Sequence, residues 1–395
     1  MKTLPLQIFD ETLRDGEQQA GLFLDPALKR KLATGIARTG VQQIDLMPAM
    51  DESEAELARD LLGSDLAPRL TAATPLDKRF VDQAHACGFQ RVILFYAVSD
   101  RLMFLRDPEV SADPVRKSQT IDDGVPAALL EAVRERTLAR IHEIVTYAAR
   151  PGLELRVDFA AEDASRADAG FLARCLREIG PRVAHFMLCD TVGILRPERT
   201  GRWIADLLEA TGQERLAVHF HNDLGLAVEN TLEAVLAGAR MVSGTFRGIG
   251  ERAGNAALEQ VLDALRSRHG IEVDGIDYAA VEAIGNELDA HGIRPASPHS
   301  QRAQWHESGI HVHSLLRDPK SYNAFTHLAP QIWFGKTSSA SNVQYLCEKV
   351  LCRPRPRESY ERLSAALKRH AHEQGRCFSA DEALDLLESG ALGER

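Results

Sequence analysis

The chain has 395 residues, more than one hydrophobic core usually fills, so a large domain with a smaller appendage is expected. Hydrophobic residues make up 44% and charged residues 26%, the composition of a soluble globular protein. A formal net charge of −10 argues against nucleic acid or an anionic membrane as the main partner.

Short apolar runs alternate with amphipathic stretches from residue 6 onward. Strands are predicted over 6–9, 43–46, 70–73, 91–95, 153–159, 183–188, 216–220 and 241–245. Helices are predicted over 26–39, 52–62, 77–87, 127–149, 168–179, 196–209, 226–237 and 257–266. Strand-then-helix alternation implies a parallel sheet with right-handed crossovers. Eight such units over roughly 250 residues have the size of a closed (β/α)₈ TIM barrel. Polar residues fall at every predicted strand end: Arg14 and Asp15, Asp45, Thr74, Ser99 and Asp100, Glu162 and Asp163, Asp190 and Thr191, His219 and His221, and Thr245. An open sheet would gather them at one switch point, so this spread favours closure.

Residues 107–126, with Pro, Asp and Ser, read as a mobile loop above the fourth strand. Beyond about residue 270 the alternation stops. A short strand at 271–276, a helix at 278–291 and a loop-rich stretch at 292–335 are expected, then helices to the end of the chain. Ser379-Ala380-Asp381-Glu382 reads as the cap of the last one. The expected division is a barrel over 1–270, a linking subdomain over 271–335 and a mostly helical C-terminal region over 336–395.

The chemistry concentrates in two runs. His219-Phe220-His221-Asn222-Asp223 puts two histidines on the same side of a strand, because side chains alternate with a period of two. Asp10-Glu11-Thr12-Leu13-Arg14-Asp15-Gly16-Glu17-Gln18 puts a cation and a carboxylate at the end of the first strand. Asp15 can join His219 and His221 on one metal, and Asn255 can add an amide oxygen. Mixed imidazole and oxygen donors suit Mg²⁺, Mn²⁺ or Zn²⁺, and the residues do not choose among them.

Together with Glu162-Asp163-Ala164-Ser165-Arg166, Asp190-Thr191-Val192-Gly193, Gly248-Ile249-Gly250-Glu251-Arg252-Ala253-Gly254-Asn255 and Ser308-Gly309-Ile310-His311, these runs resemble the DRE-TIM metallolyases. These include homocitrate, 2-isopropylmalate and citramalate synthases and their lyase relatives. The resemblance spans about residues 6–335. It implies an acyltransferase that adds the acetyl group of acetyl-CoA to a metal-chelated 2-oxo acid. Asp15, His219, His221 and Asn255 would hold the metal, Arg14 would stabilise charge on the keto oxygen, and Thr191 would bind the substrate carboxylate. Glu162, with His311 and Tyr322, would move protons at the acetyl methyl. In the family, residues such as His311 and Tyr322 reach the partner's barrel, which implies a domain-swapped homodimer.

Several pocket positions depart from the family pattern. Asp158 stands where lysine-pathway homocitrate synthases have the arginine that holds the distal carboxylate of 2-oxoglutarate. Ala160 replaces a frequent serine, and Leu94 stands where isopropylmalate synthases usually have histidine. Asp158 and Leu94 are therefore expected to line the substrate pocket, and Asp158→Arg to shift preference toward 2-oxoglutarate. Only 60 residues follow Gly335, which fits homocitrate synthase better than relatives with a regulatory domain. A lyase is the rival reading, but residues 243–255 lack the cysteine that hydroxymethylglutaryl-CoA lyases carry there. The six cysteines form no CxxC pair, no signal peptide opens the chain, and no apolar run approaches the ~20 residues of a membrane span. A cytoplasmic location is expected.

Overall fold

A computed structural model of the chain describes residues 2–325 and 327–392. Eight parallel strands form a closed barrel: β1 (Gln7–Asp10), β2 (Gln43–Leu46), β3 (Leu70–Pro75), β4 (Arg91–Ala97), β5 (Arg156–Glu162), β6 (Phe186–Asp190), β7 (Leu216–Phe220) and β8 (Met241–Gly244). Closure is made by β1 and β8, with Gln7 opposite Met241 and Asp10 opposite Gly244. The outer ring comprises α1 (Pro26–Arg38), α2 (Glu52–Leu62), α3 (Lys78–Cys87), α4 (Asp100–Arg106), α5 (Pro108–Ala112), α6 (Ala127–Ala148), α7 (Ala169–Ile179), α8 (Pro197–Thr211), α9 (Ala227–Ala237) and α10 (Leu258–His269). Asp25, Asp51, Asp77 and Asp168 cap the first turns of α1, α2, α3 and α7, accepting backbone N–H bonds that would otherwise be orphaned.

Two strands start later than the apolar runs suggest. β5 begins at Arg156 because the chain turns through a left-handed Glu154 and then pairs with β4 from Arg91↔Arg156 to Ala97↔Glu162. β6 begins at Phe186, after a tight turn at Gly180–Arg182. The expected loop at 107–126 is more ordered than its composition suggests. It contains α5, capped by Asp107, and two short 3₁₀ turns, Arg116–Ser118 and Ile121–Asp123.

Strand alternation sorts the core into two layers. Leu46, Val92, Leu94, Phe159, Leu188 and Val218 pack outward against the helices. Phe9, Ala73, Ile93, Ala160, Met187, Cys189, Ala217 and Met241 fill the lumen, so the barrel is packed rather than open.

Ile271–Val273 pairs in parallel with Lys2–Leu4, just ahead of β1 in the chain, and α11 (Tyr278–Ala290) packs against α1. The chain then crosses the barrel mouth. Trp305–His306 pairs with Gln331–Ile332, and α12 (Gly309–Leu315) lies between them in sequence. α13 (Ala340–Tyr345), α14 (Arg357–Gln374) and α15 (Ala380–Glu388) follow, and Ser379 and Glu382 form a capping box on α15. Val312, Phe334, Leu346, Tyr360, Leu363, Leu367 and Phe378 make this region's own apolar cluster.

A buried quartet of charges fastens this region to the barrel. Lys29 Nζ lies 2.5 Å from Glu17 and 2.6 Å from Glu54, while Lys336 Nζ lies 3.0 Å from Glu54 and also pairs with Glu17. Two cations balance two carboxylates, which buried charges require. Glu17 sits two residues after Asp15, so the anchor holds the turn that carries the first-strand site residues. Among the described residues, no helix is long and apolar enough to cross a membrane.

Candidate active site

The C-terminal ends of β1 and β7 bring Asp15, His219 and His221 together, with their ligand atoms within 4.8 Å of one another. Each histidine Nε2 lies 4.0 Å from Asp15 Oδ2, and the two Nε2 atoms are 3.2 Å apart. Burial pushes His219 down to about 4 and His221 well below the usual histidine range, against the pull of Asp15. Both imidazoles are therefore neutral near pH 7, the form that binds metal. His219 Nδ1 is 3.0 Å from Ser243 Oγ and 3.2 Å from Glu11 Oε1, which turns its Nε2 toward the cluster.

Asn255 is placed by an isolated antiparallel bridge to His221. Its Nδ2 donates to Asp15 Oδ1 at 2.6 Å, while its Oδ1 is buried without a hydrogen-bond partner among the described residues. An orphaned buried oxygen beside three convergent donors fits a divalent cation. Backbone bareness makes this approach possible: a Cβ on Gly250, at φ +147°, would fall on the Asn255 amide and the Asp15 carboxylate.

Arg14 is surrounded by acid. Its Nε donates to Asp45 at 2.9 Å and its Nη1 to Asp15 at 3.2 Å, and it also pairs with Glu11. Burial raises the Asp45 carboxyl to about 7, although Arg14 pulls it down.

Opposite the metal ligands, Arg106 of α4 clamps Glu162 with bonds of 2.5 and 2.9 Å. Tyr322 donates its hydroxyl to the same carboxylate. Burial alone would raise Glu162, but Arg106 and Tyr322 outweigh it and hold the carboxyl below its usual range. His311 stacks on Tyr322 with centroids 3.7 Å apart, and its Nε2 lies 2.7 Å from Glu251 Oε2. Burial keeps His311 neutral, and burial with the nearby Asp15 charge raises Glu251 to about 8.

Thr191 Oγ1 accepts from the Asp163 amide at 2.8 Å, which leaves its hydroxyl proton to donate into the pocket it lines. The pocket is a cavity of about 80 Å³ bordered by Arg14, Asp15, Glu162, Thr191, His219, His221 and His311. It shares Gln18, Met47, Phe95, Ser308 and Ile310 with a neighbouring cavity of about 490 Å³.

Two expected pocket residues lie elsewhere. Leu94 faces the helical layer, and Phe95 takes the inward position, because alternate residues of β4 point to opposite sides. Asp158 does face the lumen, but below the pocket. It is fully buried, with Arg91 Nε at 2.6 Å, Arg91 Nη2 at 3.0 Å and His185 Nδ1 at 3.1 Å. Asp158→Arg is thus expected to destabilise the fold by about 3–5 kcal/mol, since it sets two guanidiniums together. Thermal denaturation measures this, and a variant as stable as wild type with a switched substrate preference would contradict it. His311 and Tyr322 lie over the barrel mouth, beside Glu251 and Glu162.

Sequence reading gave no role to Glu11, Arg106, Ser243 and Glu251, and placed Asp45 only at a strand end. Glu11 and Glu251 sit inside the quoted motifs, whereas Arg106 becomes visible only once α4 folds over β5.

A barrel whose mouth joins these motifs defines a family. The HMGL-like family matches residues 5–288, and the chain belongs to it. Homocitrate synthase AksA of Methanosarcina mazei is 32% identical over 331 residues, covering 82% of this chain and 75% of that protein. The 2-isopropylmalate synthase of Sulfolobus acidocaldarius is 32% identical over 326 residues, covering 80% and 77%. The HMG-CoA lyase structure from Brucella melitensis superposes with a TM-score of 0.55 at 18% identity, covering 73% of this chain and 99% of that one. It speaks to the fold alone.

Proposed function

We propose that the chain is an acyltransferase of the homocitrate synthase and 2-isopropylmalate synthase type, condensing acetyl-CoA with a 2-oxo acid and releasing CoA. One observation carries this reading. A three-ligand cation site and a separate pair of proton-moving groups, Glu162 and His311, face the same small cavity, with Tyr322 donating to Glu162. The relatives that the chain matches over most of its length carry names of this type.

Asp15, His219 and His221 would hold the ion, with Asn255 Oδ1 as the further oxygen donor. When bound, Mg²⁺, Mn²⁺ or Zn²⁺ supplies Lewis acidity toward the carboxylate and keto oxygens of the 2-oxo acid. Thr191 donates to the substrate carboxylate, and Arg14 stabilises the negative charge that the keto oxygen gains. Glu162 is ionised and His311 is neutral, so both are in the form that accepts the methyl proton of the thioester. The methyl carbon then bonds to the keto carbon, the new alkoxide takes a proton, and water cleaves the thioester to release the thiol. The larger cavity supports acetyl-CoA as co-substrate. Its walls are apolar at Met50, Leu76, Phe80 and Phe95, and Arg140 and Lys368 bring positive charge to it.

The test is thiol release from acetyl-CoA with Mg²⁺ or Mn²⁺ and 2-oxoglutarate, oxaloacetate, pyruvate, 2-oxoisovalerate or phosphonopyruvate in turn. Release with at least one acid is expected, and none with any of them would sink the reading.

The chain also acts, in this proposal, as a homodimer that exchanges the segment carrying His311 and Tyr322. A closed monomer and a swapped dimer use the same contacts and differ only in which copy supplies the segment. Mixing refolded His219→Ala and His311→Ala chains should then restore about a quarter of wild-type activity, because half of the dimers are mixed and each holds one intact site. No recovery would place the segment on its own barrel. All six cysteines are free thiols, which supports a cytoplasmic setting.

A further inference from the structure

We infer that the 2-oxo acid accepted here carries a short, uncharged hydrocarbon side chain rather than a second acidic group. This rests on the condensation reading above and deepens it. The metal ligands, Arg14 and Thr191 fix one end of the substrate. Around the rest of the small cavity, Met47, Phe95, Ala160, Met187, Cys189 and Ile310 offer only carbon and sulfur, and Gln18 and Ser308 add polar groups without charge. The layer beneath is also apolar, with Ala73, Ile93 and Met241 among its residues.

A distal carboxylate or phosphonate would need a cation, and among the described residues the guanidiniums nearest the cavity each already pair with a carboxylate. Arg14 is held by Glu11, Asp15 and Asp45, and Arg106 by Glu162 and Tyr322. Arg252 lies 2.9 Å from Asp223 and is fully buried. Deeper in the lumen, Arg91 is bound by Asp158. The cations of the neighbouring cavity do not substitute, because Arg140 and Lys368 line that cavity and not the small one. Arg140 there donates to the Leu76 carbonyl and Lys368 to the Met50 carbonyl. The carboxylates of Glu11 and Glu162, which border the small cavity, would repel a second anion rather than bind it. An ion buried without a partner is strongly disfavoured, whereas a methyl or branched alkyl group gains from the same walls.

The inference predicts that pyruvate, 2-oxobutyrate and 2-oxoisovalerate exceed oxaloacetate, 2-oxoglutarate and phosphonopyruvate in kcat/KM for CoA release by at least about 100-fold, since a second anion would be buried there without a cation. A dicarboxylate or phosphonate that equals or betters the alkyl acids overturns it. Calorimetric binding of the same acids to the Mn²⁺-loaded protein without acetyl-CoA gives a separate readout. If no acid releases CoA but alkyl acids still bind tightest, the condensation reading fails and the substrate class stands. Tightest binding by 2-oxoglutarate or phosphonopyruvate overturns the class alone. Within the series, Phe95→Ala is expected to move preference toward longer alkyl chains by about tenfold for each added methylene. An unchanged order in the folded variant would also overturn the assignment of this wall.

Discussion

His219→Ala is expected to abolish divalent-cation binding and CoA release together. Three protein atoms converge on the site, and removing one imidazole leaves Asp15, His221 and the neutral Asn255 oxygen, with no other histidine or carboxylate in the cluster among the described residues. The remaining acids do not substitute, because Glu11 is bonded to Arg14 and Ser243, and Glu251 faces His311. The imidazole is neutral because burial holds it down at about 4, so protons compete little for it near neutral pH. Mn²⁺ titration by calorimetry measures the first loss and thiol release the second. Circular dichroism checks that the barrel persists, since His219 contributes few of the apolar contacts that fill the lumen. Ser243→Ala provides the graded companion. It removes the 3.0 Å contact that orients Nδ1, and about a 10–100-fold loss of affinity is expected. Retained turnover in His219→Ala would contradict the site.

The cation site was legible in the sequence because each ligand lies in a local run whose position on a strand follows from periodicity. His219 and His221 share a face by alternation, and Asp15 follows a strand of four residues. The substrate wall was less legible, because it depends on strand parity and depth, which a motif does not carry. Leu94 was displaced by one residue: the register sets Phe95 opposite Ala160, and both face inward. Asp158 has the correct parity but lies four residues before Glu162, about 13 Å lower along the strand at the usual rise. There it meets Arg91 across the β4–β5 ladder. The Arg106–Glu162 clamp had no sequence signal at all, since 56 positions separate its members and α4 must fold first. The same tertiary dependence hides the role of Glu17, whose carboxylate fastens the site turn to Lys336 far downstream.

Glu162→Gln is expected to lower kcat by about 10²–10⁴ while leaving Mn²⁺ affinity near wild type, the range for loss of a general base. The amide cannot take the methyl proton, yet it keeps the shape that Tyr322 and Arg106 hold. Arg106→Met separates a chemical role from a structural one through the pH profile. In wild type, burial works to raise Glu162, and Arg106 with Tyr322 reverses it, so the carboxylate is ionised below the usual glutamate range. Without Arg106 the burial effect prevails and the pKa rises, so the ionised fraction at a given mildly acidic pH falls. The acid limb of the kcat profile therefore moves to higher pH in Arg106→Met, and activity recovers as the pH is raised. A purely structural clamp would lower kcat equally at all pH values and leave the limb in place. An unmoved limb in a folded Arg106→Met protein, or a Glu162→Gln enzyme of near wild-type kcat, would remove Glu162 from proton transfer and leave His311 as the base.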